Sequence, residues 1–219
     1  MKKIRTSLYE WLVVLFITTL LVSNIVSVKM VAIGPLVLDA GTILFPLSYI
    51  ISDIVTEVYG YKRMRGLLIR GVVMLLVLSL TLWIVGALPA EDSWALQSSF
   101  ESTLGVVWRI VAASSTAIFI GELINAYVLA KLKVRTKGKW LWGRLIGSSV
   151  VGNALDTIIF SVIAFAGTMP TEVLVQLIVS VYLIKMAIEI IVSPFTVRFI
   201  GLIKKYDKTD TFEDPHRLI

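Results

Sequence analysis

Six charged side chains lie inside long apolar stretches of this 219-residue sequence. Five are acids and one is a lysine: Asp53, Glu57, Glu122, Asp156, Lys185 and Glu189. An ionised side chain costs about 2.5–3.5 kcal/mol to insert at the centre of a bilayer, so such residues usually face a cavity or a partner. The excess of acids indicates protonated carboxyl groups, a hydrated cavity, or a ligand that donates hydrogen bonds to them. Such a ligand would be a heterocycle with N–H and amino groups, or a cation.

The spacing of these residues groups them on helix faces. Each of four predicted helices carries two polar residues separated by three or four positions, which places both on one face. The pairs are Asp53 and Glu57, Glu122 and Asn125, Asn153 and Asp156, and Lys185 and Glu189. The simplest arrangement directs all four pairs towards one enclosed, hydrated cavity.

The polar pairs also have interpretations that involve no ligand. Lys185 and Glu189 could form a neutral ion pair within one helix, although Lys before Glu is the less favourable order. Glu57 lies near the end of its helix and could pair with the basic Lys62 and Arg63 that follow it. The two asparagines could join helices through hydrogen bonds worth about 0.6–2 kcal/mol each.

The composition places these residues in a membrane protein. Hydrophobic residues make up 57% of the chain and charged residues 16%, with a mean hydropathy of +0.88. A soluble domain averages about 45–50% apolar and about 25% charged residues. There is no cysteine, and the single histidine, His216, lies in a polar tail, so we expect no metal site, thiol chemistry or disulfide. No glycine-rich phosphate loop is present, and we expect neither a cofactor nor an enzymatic activity.

Six stretches reach the roughly 20 mostly apolar residues that a spanning helix needs. They are residues 8–28, 40–59, 66–88, 105–130, 143–168 and 171–203. Eighteen of the 21 basic residues flank these stretches on one side of the membrane, which predicts that both termini are cytoplasmic. The predicted fold is therefore all-α and polytopic, with a single six-helix transmembrane domain over residues 1–205 and a polar cytoplasmic tail over residues 206–219.

Two segments are distinctive beyond their hydropathy. Residues 45–60 read FPLSYIISDIVTEVYG, and residues 152–160 read GNALDTIIF, preceded by Arg144. With six predicted helices in about 220 residues, these segments resemble the queuosine precursor transporter family, also called the vitamin uptake transporter family, over residues 8–203. The resemblance implies a multi-pass protein of the bacterial inner membrane that imports a precursor of queuosine, a modified tRNA base. The implied substrate is 7-cyano-7-deazaguanine, with queuine or the aminomethyl form as alternatives, and no nucleic acid is bound directly.

A 7-deazaguanine presents N1–H and a 2-amino group as adjacent donors, which a carboxylate can accept. We expect Asp53 or Glu122, together with Asp156, to bind this donor edge, while Asn125 and Asn153 bind acceptors of the ring. Aromatic side chains expected to cover the ring are Phe45, Tyr49 and Phe160. Residues expected to shape the cavity or to take part in a proton step are Glu57, Lys185 and Glu189.

Two other functions have to be considered. A substrate-binding subunit of an energy-coupling-factor vitamin transporter also has six helices, but its first helix commonly carries an A-x-x-x-A patch, where this chain has Thr19, Ser23 and Ser27. An intramembrane aspartyl protease would use paired acids, but its G-x-G-D signature is missing. Stripes of small residues would allow close helix packing or a homodimer. Proton symport and facilitated entry both remain open as modes of transport.

Overall fold

The computed structural model describes residues 8–34 and 36–215, so the basic residues near the N-terminus, His216 and Arg217 lie outside the described residues. This part of the chain forms seven α-helices and one β-hairpin. The helices are α1 (Leu8–Val26), α2 (Phe45–Ile54), α3 (Tyr61–Ala87), α4 (Gln97–Leu104), α5 (Val107–Arg135), α6 (Leu141–Phe165) and α7 (Thr171–Asp207). The hairpin consists of β1 (Met30–Ile33) and β2 (Leu36–Asp39), which pair antiparallel.

Five helical segments are long and apolar enough to cross a membrane. They are α1, α3, α6, α7 and the continuous segment formed by α4 and α5. Large apolar side chains such as Trp83, Ile191 and Phe195 are exposed on the outer faces of these helices, as expected for a surface that meets lipid rather than water. The chain is therefore an all-α polytopic membrane protein with a small hairpin added.

The sixth spanning helix, predicted over residues 40–59, is not confirmed. A 3₁₀ turn (Ala40–Ile43) precedes α2, and only the ten residues of α2 and a π-helical continuation (Val55–Tyr59) are helical beyond it. At about 1.5 Å per residue this helix is about 22 Å long, shorter than the roughly 30 Å hydrocarbon layer. Pro46 favours a helix start at this point, and Gly60 ends the helix with a φ of 92°.

The hairpin and the turn extend the segment of chain to which this short helix belongs. Leu38 of β2 packs against Leu177 and Val181, near the start of α7. At the other end, Tyr59 donates a hydrogen bond to Asp207, the last residue of α7. The strand, the turn and the short helix together therefore run beside α7 along most of its length.

The hairpin is fixed to the end of α1 by a buried carboxylate. Ser27 Oγ donates to Asp39 Oδ1 at 2.7 Å, and Thr42 Oγ1 donates to Asp39 Oδ2 at 2.9 Å. The backbone N–H of Ala40 also donates to the carbonyl of Lys29 at 2.8 Å. These bonds hold the start of α2 at a defined place inside the bundle.

Two glycines allow α5 and α6 to approach closely. A Cβ atom at Gly121 would lie 2.7 Å from Asp156 Cβ, and one at Gly152 would lie 2.6 Å from Asn125 Cβ. These distances leave no room for a side chain at either position. The same contact brings two predicted site residues, Asn125 and Asp156, to the interface between the helices.

Candidate functional site

Polar residues of α2, α5, α6 and α7 meet in the interior of the bundle. Each of them is no more than 6% exposed. We call this group the central site: Tyr49, Ser52, Asp53, Glu122, Asn125, Ser149, Asn153, Asp156, Lys185 and Glu189. Its members include most of the residues that the sequence marks as candidates, and Ser52 and Ser149 are additions. These two serines had no sequence signal of their own, because small polar residues are common in membrane helices.

Among the acids of the central site, Asp156 accepts the most hydrogen bonds from described residues. Its Oδ2 atom accepts hydrogen bonds from Tyr49 Oη at 2.9 Å and from Lys185 Nζ at 2.8 Å. Lys185 therefore forms its ion pair across to α6 and not within its own helix. Its ammonium group also lies 4.3 Å from the centre of the Phe45 ring, within the range of a cation–π contact.

The other three acids of the central site interact with uncharged groups. Ser52 donates to Glu122, and Asn125 Nδ2 donates to Asp53 Oδ1 at 3.3 Å. The Glu189 carboxyl group lies near Ser149 and near the carboxyl group of Asp53. Among the described residues nothing donates to Asp53 Oδ2 or to Asn125 Oδ1, although both atoms are fully buried. Four carboxyl groups thus share one ammonium group, and that group is already bonded to Asp156.

The remaining candidates lie at the edge of this network. Asn153 Nδ2 has the thioether sulfur of Met186 as its partner, at 3.8 Å, which is a weak acceptor. Phe160 packs edge-on against Phe45, with ring centres 6.3 Å apart. The Phe45 and Tyr49 rings lie nearly parallel at the same separation. The three aromatic candidates therefore form a continuous group beside the acids.

A small cavity lies inside the bundle at this point. Its volume is about 10 Å³, which is about the space that one water needs. Its polar lining comes from Ser48, Tyr49, Glu122 and Asp156, and its apolar lining from Phe16, Leu20, Phe45 and Ile118. Two carboxyl groups and three aromatic rings thus face one small space, and a larger ligand could enter only if the helices moved apart.

Glu57 does not join the central site. It lies about one helical turn beyond Asp53 and is completely buried among cations. Arg144 binds it bidentately, with Nη1 to Oε2 at 2.7 Å and Nη2 to Oε1 at 3.1 Å. Lys204 Nζ lies 2.7 Å and Lys133 Nζ 3.5 Å from Oε1. The partner of Glu57 is therefore Arg144 and two lysines from other helices, and not the nearby Lys62 or Arg63 that the sequence suggested.

The C-terminal segment completes this second cluster. Asp210 accepts hydrogen bonds from Lys133 at 2.5 Å and from Lys204 at 2.9 Å, and Thr211 N donates to the carbonyl of Val58 at 3.1 Å. Burial opposes ionisation of Asp210, but the two ammonium groups outweigh it and hold the pKa of this carboxyl below its usual value. We call the group the terminal ion cluster: Glu57, Lys133, Arg144, Lys204 and Asp210.

The matching sequence family and the individual relatives are both described as transporters. The family described as "Putative vitamin uptake transporter" matches residues 39–199, which include all residues of the central site. A protein of Bacillus subtilis named "Probable queuosine precursor transporter" is 28% identical over 174 residues, covering 79% of this chain and 76% of the relative. No solved structure matches the chain significantly.

Two further relatives match a shorter region. The "Queuosine precursor transporter" of Escherichia coli and the "Probable queuosine precursor transporter" of Haemophilus influenzae are each 26% identical over 125 residues. The match covers 57% of this chain in both cases. It covers 54% of the Escherichia coli protein and 51% of the Haemophilus influenzae protein, so the chain matches about half the length of these two relatives.

Proposed function

Because this chain belongs to the vitamin uptake transporter family, whose members are transporters and not enzymes, we propose that it imports a 7-deazaguanine precursor of queuosine. The names of its relatives support this substrate class. The observation that carries the proposal is the small cavity between α1, α2, α5 and α6. It is lined by the carboxyl groups of Glu122 and Asp156 and by the rings of Phe45 and Tyr49.

The polar edge of a deazaguanine suits this lining. Its N1–H and 2-amino group are adjacent donors, and a carboxylate only accepts hydrogen bonds. We assign Glu122 and Asp156 to this donor edge. The carbonyl of the ring lies next to N1–H, and the Lys185 ammonium, already held against Asp156, can donate to it.

The flat faces of the base require apolar or aromatic contacts. Phe45 and Tyr49 are the side chains that we assign to them, because both line the cavity, and Phe160 supports Phe45 from the side. Asn153, whose amide has only a sulfur acceptor, and Asn125, whose Oδ1 has no donor, are assigned to the remaining polar atoms of the base.

We further propose that the chain crosses a bacterial cytoplasmic membrane six times, with both termini in the cytoplasm. The second crossing would then be made by β2, the 3₁₀ turn and α2, which run beside α7. Non-helical backbone is tolerated at membrane depth only where protein covers it, and Leu38 and Asp39 are both buried. The basic connections and the terminal ion cluster would face the cytoplasm, in agreement with the positive-inside rule.

The test is uptake of labelled 7-cyano-7-deazaguanine by the purified protein in lipid vesicles without any ATPase subunit. We expect uptake by this chain alone, whereas a binding subunit of an energy-coupling-factor transporter would show none. Guanine, which has the same donor edge, should compete. Xanthine, which has a carbonyl in place of the 2-amino group, should not.

Two variants locate the site. Glu122→Gln and Asp156→Asn each replace an acceptor oxygen with an amide donor, so each should weaken substrate binding about 10- to 150-fold, the cost of a lost hydrogen bond to a charged group. The matched control is Glu172→Gln, which removes an exposed acid at the start of α7 and should bind normally. Unchanged affinity in both site variants would refute the assignment.

A further inference from the structure

We propose that the hydroxyl groups of Tyr49 and Ser52 position the two acids of the substrate site, and that α2 thereby sets the specificity of the site for a base with two adjacent N–H donors. The inference rests on the proposed function and deepens it, because it names the groups that act on the substrate through Glu122 and Asp156. Neither hydroxyl group is itself assigned to the substrate.

The two hydroxyl groups lie on one face of α2. Tyr49 and Ser52 are three positions apart within α2, so their side chains leave the helix on the same side. Both residues are buried, with 6% of Tyr49 and 0% of Ser52 exposed. Each hydroxyl group donates to a carboxyl group on another helix, Ser52 to Glu122 of α5 and Tyr49 to Asp156 of α6. One face of α2 thus contacts both acids.

The bonds from α2 occupy one oxygen of each acid. Ser52 Oγ donates to Oε2 of Glu122, and Tyr49 Oη donates to Oδ2 of Asp156 at 2.9 Å. A carboxylate has two acceptor oxygens, so a bond that holds one of them also fixes the direction of the other. We assign the second oxygens, Oε1 and Oδ1, to the N1–H and the 2-amino group of the base. Each acid then accepts one donor of the substrate.

The two acids lie at the same level of the bundle. Gly121 directly precedes Glu122, and a Cβ atom at Gly121 would lie 2.7 Å from Asp156 Cβ. Glu122 and Asp156 also line the same cavity. The packing of α5 on α6 fixes the backbone of both residues, but the direction of each carboxyl group depends on its side-chain partners. Because α2 supplies a partner to each acid, it relates the direction of one carboxyl group to that of the other.

Lys185 does not replace Tyr49 in this role. Its Nζ atom also donates to Oδ2 of Asp156, at 2.8 Å, and supplies the positive charge that pairs with the acid. An ammonium group is a point charge at the end of a flexible side chain, whereas the Tyr49 hydroxyl group is carried by a rigid ring. That ring is buried and lies nearly parallel to the ring of Phe45. Lys185 therefore stabilises the charge of Asp156, and Tyr49 fixes its direction.

The experiment measures binding of guanine and 7-cyano-7-deazaguanine to the whole purified protein. Ser52→Ala and Tyr49→Phe each remove one neutral hydrogen bond, so each should weaken binding of both bases about 2- to 12-fold. The matched controls are Ser23→Ala and Tyr61→Phe. Ser23 is a buried serine that donates to a carbonyl of its own helix, and Tyr61 is a buried tyrosine of the apolar core, so both variants should bind as wild type does.

Combined variants separate a positioning role from a purely structural one. Once Glu122→Gln has removed the acceptor, the direction of that side chain no longer matters, so adding Ser52→Ala should cause no further loss. Tyr49→Phe should likewise add nothing to Asp156→Asn. A substitution that loosens the bundle would add its own loss in either background. The crossed combinations, Ser52→Ala with Asp156→Asn and Tyr49→Phe with Glu122→Gln, should show both losses.

Hypoxanthine, which lacks the 2-amino group, identifies the donor that each acid accepts. Wild type should prefer guanine to hypoxanthine about 10- to 150-fold, the value of one hydrogen bond to a charged group. Of Ser52→Ala and Tyr49→Phe, the variant that acts on the acceptor of the 2-amino group should weaken guanine binding alone. The other variant should weaken binding of guanine and hypoxanthine equally.

Two results would overturn the inference. Wild-type affinity for guanine in both Ser52→Ala and Tyr49→Phe would show that these hydroxyl groups do not position the acids. Losses of the same size with and without Glu122→Gln and Asp156→Asn would assign the hydroxyl groups to the packing of α2. In both cases the wild-type protein still binds the base, and the proposed function stands. A wild-type protein that binds neither guanine nor 7-cyano-7-deazaguanine would instead refute the proposed function itself.

Discussion

The central site and the terminal ion cluster are built on the same helices, yet their charges are balanced in opposite ways. In the terminal ion cluster the completely buried Glu57 meets Arg144, Lys204 and Lys133. In the central site four carboxyl groups have Lys185 as their one cation among the residues that the structure describes. Within the described residues, two fully buried oxygen atoms of the central site have no donor, whereas both oxygens of Glu57 are bonded to cations.

The comparison shows that burial of an acid does not by itself define its role. A buried carboxylate whose cations and hydrogen bonds are in place needs no further partner, and it holds together the elements that supply those cations. A buried carboxyl group without a cation needs a proton, a water or a ligand. The ion-paired carboxylate of Glu57 holds α2, α5, α6, α7 and the C-terminal segment together. The carboxyl groups of the central site that lack a cation remain able to bind a proton, a water or a ligand.

The largest expected effect comes from removing the charge at the centre of the terminal ion cluster. Glu57→Gln leaves the buried Arg144 and two lysines with Asp210 as their remaining carboxylate, so it should lower the free energy of unfolding by about 3–5 kcal/mol. Thermal unfolding in detergent, followed by the fraction that stays monodisperse, measures this loss. The matched variant Asp53→Asn removes an equally buried acid that has no ion pair with any described residue, and it should cost less than about 1 kcal/mol. Equal losses in both variants would contradict the contrast between the two regions.

A smaller loss is expected where the central site depends on close helix packing. Gly121→Ala would place a Cβ atom 2.7 Å from Asp156 Cβ, so it should cost about 1–3 kcal/mol as α5 and α6 are pushed apart. Because Asn125 and Asp156 lie at this contact, substrate affinity should fall as well. The control is Gly201→Ala on α7, where the new methyl group meets nothing within 4 Å and stability should stay the same or rise.

The residues of the central site could be found from sequence because a charge inside an apolar stretch is conspicuous. Asp53, Glu122, Asp156 and Glu189 stand out against the hydropathy of their helices, and helical spacing assigns each to a face. Their individual partners could not be found in this way. The bond between Lys185 and Asp156 depends on the approach of α6 to α7, and Lys185 and Glu189 have the spacing of an intrahelical pair.

The terminal ion cluster could not be predicted from the sequence, for a different reason. Lys133, Lys204 and Asp210 lie near helix ends or in the polar tail, where charges are normally solvated and serve only as topology signals. Lys133 and Lys204 are 76 and 147 positions from Glu57, and Lys133 is 77 positions from Asp210, distances over which spacing carries no information. The length of the helix predicted over residues 40–59 was overestimated because hydropathy counts apolar residues and does not distinguish a 3₁₀ turn from an α-helix.

The smallest expected effect is at the edge of the terminal ion cluster, where solvent screens the charges. The Asp210 side chain is 44% exposed, so Asp210→Asn should cost no more than about 1 kcal/mol at neutral pH. The pKa of this carboxyl is lower in the folded chain than in the unfolded chain, so its contribution is present above the ordinary value of about 3.9 and is lost as the pH falls through the folded value. The difference in melting temperature between wild type and variant should therefore be constant from pH 7 to 5 and disappear in strong acid. Asp92→Asn, an exposed acid between α3 and α4, should show no such pH-dependent difference. A difference for Asp210→Asn that persisted in strong acid would mean that the substitution acts through hydrogen bonding or packing of the side chain and not through this charge.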